Sequence, residues 1–145
     1  MEIYTIGFTK KTAEQFFTLL KNAKIARLID VRLNNVSQLA GFAKKDDLRF
    51  FLQEICHCEY EHEPLLAPTQ ELLDQYKKAK GSWSEYEQLF LSLIAERKIE
   101  EKIDPSRFAI PTVLLCSEPT AEHCHRRLIL EYLRIKWGNI TGHHL

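Results

Sequence analysis

From Leu114 to Arg127 the chain reads Leu-Leu-Cys-Ser-Glu-Pro-Thr-Ala-Glu-His-Cys-His-Arg-Arg. Thiols, imidazoles, carboxylates and guanidiniums gather there, where an apolar strand gives way to a helix. The unpaired N–H groups and the dipole of a helix start favour an anion. Few packing requirements ask for that set of side chains, so the stretch reads as a site. A thiol at a helix N-terminus has its thiolate favoured, which makes Cys124 a candidate nucleophile. The competing reading is a small buried side chain filling a helix–sheet contact. His125 is a candidate general base, or else the hydrogen-bond partner of a buried carboxylate such as Asp30. Glu118 follows the strand and is a candidate general acid or base, or the bidentate partner of Arg126 or Arg32. Arg126 borders the buried helix face and is a candidate substrate contact. Arg127 falls on the polar side, paired with Glu131 four residues on.

A second constellation is Asp30-Val31-Arg32. In a strand the intervening Val31 sends both charged side chains to one face, and a buried Asp there needs a partner. The pair is either a structural ion pair or part of a substrate site. The sequence assigns no metal and leaves any cofactor unknown. Cys56-His57-Cys58 with His62, or Cys116 with His123, Cys124 and His125, offers enough soft ligands for zinc, but neither has the customary spacing of a structural site. No phosphate loop is present: the residue six after Cys116 is Glu122, and six after Cys124 is Leu130. The glycine-rich nucleotide motifs are missing as well.

The elements that must position these groups alternate strand and helix. Glu2–Ile6 reads as a strand ending at Gly7. Ala13–Ala23 carries the helical stripe Phe16, Phe17, Leu19, Leu20 behind the candidate cap Thr12. Ala26–Val31 is a second strand, Asp46–Cys56 a helix, and Cys58–His62 a third strand. Glu71–Ala79 and Trp83–Lys98 are two further helices parted by Gly81-Ser82. Ile110–Cys116 is the clearest strand, Ala121–Lys136 the helix after it, and Ile140–His144 a closing strand whose two histidines read as a frayed tail. The expected fold is therefore α/β: a single domain over residues 1–145, a mostly parallel sheet of about 4–5 strands, and helices on both faces. Ligands of such sheets gather beyond the C-terminal strand ends, where Asp30, Arg32, His62 and Glu118 emerge.

Composition narrows the function. Twenty Lys+Arg balance twenty Asp+Glu, so no strong nonspecific nucleic-acid binding is expected. No run approaches the about 18 apolar residues of a membrane span. With no leader read at its start, the cytoplasm is the expected compartment and the four cysteines are expected to be free. Tyr76, Trp83 and Tyr86 read as helix packing. The loop Ser37–Lys45, with Phe42, Lys44 and Lys45, is a solvated loop or one that stacks a base.

These landmarks resemble the bacterial and archaeal family called domain of unknown function 488. The carrying motifs are Thr5-Ile6-Gly7-Phe8-Thr9, Leu28-Ile29-Asp30-Val31-Arg32, Leu114–Glu118 and Cys124-His125-Arg126. Two positions depart from the family pattern: Phe8 stands where a His is frequent, and Ser37-Gln38 where Ser-Arg is frequent. The resemblance implies an α/β domain and a link to nucleotide or nucleic-acid modification. Taken together, the first expectation is an enzyme acting on an anionic, nucleotide- or nucleic-acid-like substrate. Glu118, Cys124 and His125 would be catalytic and Asp30, Arg32 and Arg126 would bind substrate. A non-catalytic module holding a phosphorylated ligand or nucleic-acid end is the second expectation, and a metal-dependent enzyme the third.

Overall fold

The computed structural model describes residues 1–35, 41–118 and 121–145. Five strands, β1 (Glu2–Gly7), β2 (Arg27–Asp30), β3 (Glu59–His62), β4 (Thr112–Cys116) and β5 (Thr141–His144), form one sheet in the order β3-β2-β4-β1-β5. Every neighbouring pair is parallel. The chain is a single α/β domain, and the sheet is wholly parallel where a mostly parallel one was expected.

β4 sits at the centre because it is the most apolar strand. All five of its residues are buried, as a strand covered on both faces requires. Val113, Leu114 and Leu115 are fully shielded, and burial of each such side chain contributes about 1.5–3 kcal/mol. The strand begins at Thr112 because Pro111 has no N–H to give a ladder. Its carbonyl instead accepts from the backbone N–H groups of Ala26 and Arg27.

Alternation along the strands divides the core in two. Leu28, Val113 and Leu115 face α1 (Ala13–Asn22) and α2 (Lys45–Phe51). Ile29, Leu114 and Cys116 face α3 (Gln70–Lys77), α4 (Trp83–Arg97), α5 (Ile99–Lys102) and α6 (His125–Trp137). Thr12 caps α1 in a reciprocal capping box with Gln15, at 3.1 and 2.9 Å. The predicted helix Asp46–Cys56 is α2 followed by one wider, π-type turn at Leu52–Cys56, closed by His57 in the left-handed conformation.

Two further differences bear on function. Helix α6 begins at His125, not at Ala121, because Cys124 takes an extended backbone (φ −139°, ψ 139°) as its N-cap. The C-terminal histidines are not frayed. His144 Nδ1 and Thr5 Oγ1 are 2.5 Å apart, and His143 stacks on Tyr4 at 4.7 Å.

From β2 the chain moves outward to β3, whereas from β4 it moves the other way, to β5. The direction of winding therefore reverses between β2 and β4. A crevice opens past the carboxyl ends of strands at such a point.

Candidate functional site

A cleft of about 190 Å³ lies at that reversal. Its walls come from the residues after β2 (Arg32 to Asn34), those after β4 (Cys116 to Glu118), the start of α6 and the ends of α3 and α4.

Arg32 lines the cleft while its guanidinium runs along Asp30: Nε donates to Oδ1 at 2.8 Å and Nη2 to Oδ2 at 2.7 Å. Nη2 also donates to the Ala43 carbonyl, and Tyr60 Oη donates to Asp30 Oδ2 at 2.6 Å. Asp30 is wholly buried and does not reach the cleft. Burial opposes the charge on Arg32, but the hydrogen bonds and charge of Asp30 outweigh it and raise its pKa. Burial and the same carboxylate push the Tyr60 phenol up. Phe8 lies beneath the Arg32 guanidinium, 5.2 Å from charge to ring centre.

Glu118 reaches across to Lys77 on α3, Nζ to Oε1 at 2.9 Å. Burial works against the ammonium of Lys77, yet the bond and charge of Glu118 prevail and raise it. Arg126 has no exposed surface and does not line the cleft. Its Nη1 donates to the Glu118 carbonyl at 2.7 Å, and its Nε and Nη2 have no hydrogen-bond partner among the described residues.

The third group is formed by Cys116, Cys124 and His125. His125 Nε2 lies 2.8 Å from the Val31 carbonyl. A carbonyl only accepts, so Nε2 carries the proton and Nδ1 is left as an acceptor. That Nδ1 faces Cys116 Sγ at 3.3 Å. Burial pushes the Cys124 thiol well up, and neighbouring Cys116 adds to this. Burial acts on Cys116 in the same sense. The hydrogen bonds from Cys124 and the Ser117 backbone, with the charge of Arg126, reverse it and pull Cys116 down. Of the two thiols, Cys116 is the one held toward thiolate.

Cleft-lining Arg32, Glu118, Cys124 and His125 thus meet around one hollow, while Asp30 and Arg126 stand behind it. Cys56 and Cys58 do not converge with an imidazole; each thiol lies against a backbone carbonyl, Phe17 at 3.8 Å and Glu59 at 3.5 Å. His123 stacks on Trp83 with ring centres 5.1 Å apart. Part of the loop Ser37–Lys45 and the departure Ser37-Gln38 fall outside the described residues.

Residues 12–133 match the family described as Domain of unknown function DUF488. The chain belongs to that family. The match takes in every residue of the cleft and of the ion pairs behind it, and stops short of the Gly7 turn and of β5. No curated protein and no solved structure matches the chain. The DUF488 assignment brings no activity with it.

Lys77 in the cleft and Tyr60 behind it lacked a signal in the sequence. Lys77 lies on an amphipathic helix where cations are ordinary, and its partner is 41 residues away. Tyr60 is one aromatic in a short strand, 30 residues from Asp30. Cys116 was visible only as one member of a loose group of soft ligands.

Proposed function

We propose that this DUF488 protein is an enzyme acting on an anionic, nucleotide- or nucleic-acid-like substrate bound in the cleft between the ends of β2 and β4. The observation that carries the reading is the composition of that cleft. Arg32 and Lys77 supply positive charge, Tyr76 and Tyr86 supply aromatic surface, and Glu118 and His125 supply acid–base groups on the same wall system. A phosphate suits the cations, and a base suits the rings.

The roles follow from each residue's surroundings. Arg32 meets the anion, pre-aimed by Asp30, which acts behind it as a positioning residue. Arg126 holds the Glu118 backbone from below. His125 accepts a proton at Nδ1, the nitrogen turned away from Val31, and Glu118 exchanges a proton once substrate draws Lys77 from it. Cys124 contributes through Cys116 rather than as a free nucleophile, since its thiol is raised by burial.

That same burial of Cys124 favours the second reading, a non-catalytic module for a phosphorylated ligand or nucleic-acid end. Melting curves with inorganic phosphate, nucleoside mono- and diphosphates, unphosphorylated nucleosides and 5′-phosphorylated oligonucleotides test both. Stabilisation by the phosphorylated probes, lost in Arg32→Ala, with product detected by mass spectrometry, supports the enzyme. Stabilisation without product supports the module. No stabilisation by any phosphorylated probe removes both readings.

A further inference from the structure

We infer that Cys116, Cys124 and His125 form a zinc-binding site whose fourth coordination position opens onto the cleft. Their ligand atoms all lie within 4.8 Å of one another, and all three residues are buried. Among the described residues no other group of Cys, His, Asp or Glu comes together in this way. Cys116 Sγ to His125 Nδ1 is 3.3 Å. With Zn–S of about 2.3 Å and Zn–N of about 2.0–2.1 Å, a tetrahedral ion places its S and N ligands about 3.6 Å apart and its two S ligands about 3.8 Å apart. The Cys116–His125 spacing is a few tenths of an ångström from that arrangement, and with every ligand pair within 4.8 Å side-chain shifts of no more than about 1 Å complete it.

The imidazole is already oriented for coordination. Its Nε2–H is committed to the Val31 carbonyl, which fixes the tautomer that presents a bare Nδ1. Metal-ligating histidines are routinely held by such an outer hydrogen bond. The backbone sets the remaining geometry. Cys116 ends the central strand, Cys124 is the N-cap of α6 and His125 its first residue. A helix starting at Ala121 would have carried Cys124 and His125 round a turn, whereas the extended backbone at Cys124 turns both toward β4.

Zinc binding displaces the thiol protons as Zn²⁺ meets two thiolates and a neutral imidazole, and the resulting centre has no net charge. The buried guanidinium of Arg126, one residue from His125, favours the Cys116 thiolate. All three ligands line the cleft, which supplies both the path of entry and the open position. Three protein ligands and one open position are the mark of a catalytic rather than a structural zinc. Water or a substrate oxygen takes that position, next to the cations that receive the anion. The ligand geometry stands without the proposed function; the use of the ion on an anionic substrate rests on that reading, with His125 Nδ1 then a ligand in place of a base and Glu118 left as the proton-exchanging group.

The test uses the full, tag-free chain loaded with Zn²⁺ and dialysed against a weak chelator, followed by elemental analysis. One zinc per chain is expected. Titration of the wild-type protein with a mercurial thiol reagent should release that zinc to a chromogenic chelator with two thiols consumed per ion, a measurement that needs no variant to fold. Cys116→Ser and Cys124→Ser should each weaken binding by about 100-fold or more, and Cys56→Ser should not change it. Cobalt in place of zinc should give thiolate charge-transfer and tetrahedral ligand-field bands. Zinc that dialyses away completely, or that both serine variants hold as tightly as wild type, overturns the site. Zinc retained with no response to phosphorylated probes leaves the metal site and removes the substrate reading. Phosphate-dependent stabilisation of a protein that takes up no zinc does the reverse.

Discussion

Arg32 embraces the carboxylate two residues before it: Nε and Nη2 take one oxygen each, and the Arg32 backbone N–H adds a third bond to Oδ1 at 3.1 Å. Side-chain exposures of 3% and 0% put the pair out of water. Removing one partner of such a pair strands the other charge, which is costlier than never having had the pair. Asp30→Asn keeps the shape and removes the charge, so it should cost about 3–5 kcal/mol of unfolding free energy, read from urea denaturation. A loss below about 1 kcal/mol would mean that the pair behaves like an exposed one.

Lys77 and Glu118 form the opposite kind of pair, with side chains 54% and 38% exposed. Lys77→Gln should therefore change stability by no more than about 1 kcal/mol. If Lys77 is one of the two cations that receive the anion, the same variant should weaken a phosphorylated ligand by about tenfold, the equivalent of about 1.4 kcal/mol. Titration calorimetry at two salt concentrations checks this. The wild-type affinity should fall with salt more steeply than that of the variant.

What could be read from the residues alone is what local physics dictates. The apolar run Val113–Leu115 specifies a central strand, and the i, i+2 relation of Asp30 and Arg32 places both on one side of β2. Convergence across the fold was less visible. Cys116 meets Cys124 and His125 only because residues 121–124 form a turn and α6 starts late, at His125. Helical periodicity alone continues Leu128, Ile129 and Tyr132 back to Ala121. The closing strand expected over Ile140–His144 is there as β5, but nothing in the residues showed that it would extend β1 and hold His143 and His144 in place. Asp30 and Arg126 carried the right chemistry, but depth beneath the cleft depends on how neighbouring loops cover them.

Tyr132 Oη donates to Glu100 Oε2 at 2.6 Å, joining α6 to α5. That bond holds the Glu100 carboxyl below its ordinary value. Burial, followed by the bond and charge of Glu100, pushes the Tyr132 phenol up to about 12. The Glu100 contribution to stability is in place above the unfolded carboxyl value of about 4.3 and is lost as pH falls through the depressed folded value. The Tyr132 contribution is in place below the unfolded phenol value of about 10. It is lost as pH rises through about 12. In Tyr132→Phe the Glu100 carboxyl should move up, as followed by carbon-detected NMR titration. An unmoved carboxyl would assign its depression to the helix backbone and nearby lysines instead.

Gly7 lies level with Cys116 in the β1–β4 ladder. A Cβ added there would collide with the Glu118 carbonyl and the Arg126 guanidinium. Both obstacles are fixed: one is backbone, and the other is a fully buried side chain that donates to that same carbonyl. Gly142 on β5 is crowded too, but only by side-chain tips, those of Leu130 and Arg134, which yield at less cost than backbone. Gly7→Ala should thus cost about 3 kcal/mol or more, while Gly142→Ala should cost about 1 kcal/mol, both read from urea denaturation. Equal losses at the two positions would show that the Glu118 segment and Arg126 can yield. In that case the close approach of β1 to the strand end of β4 does not lock the wall of the cleft that Glu118 belongs to.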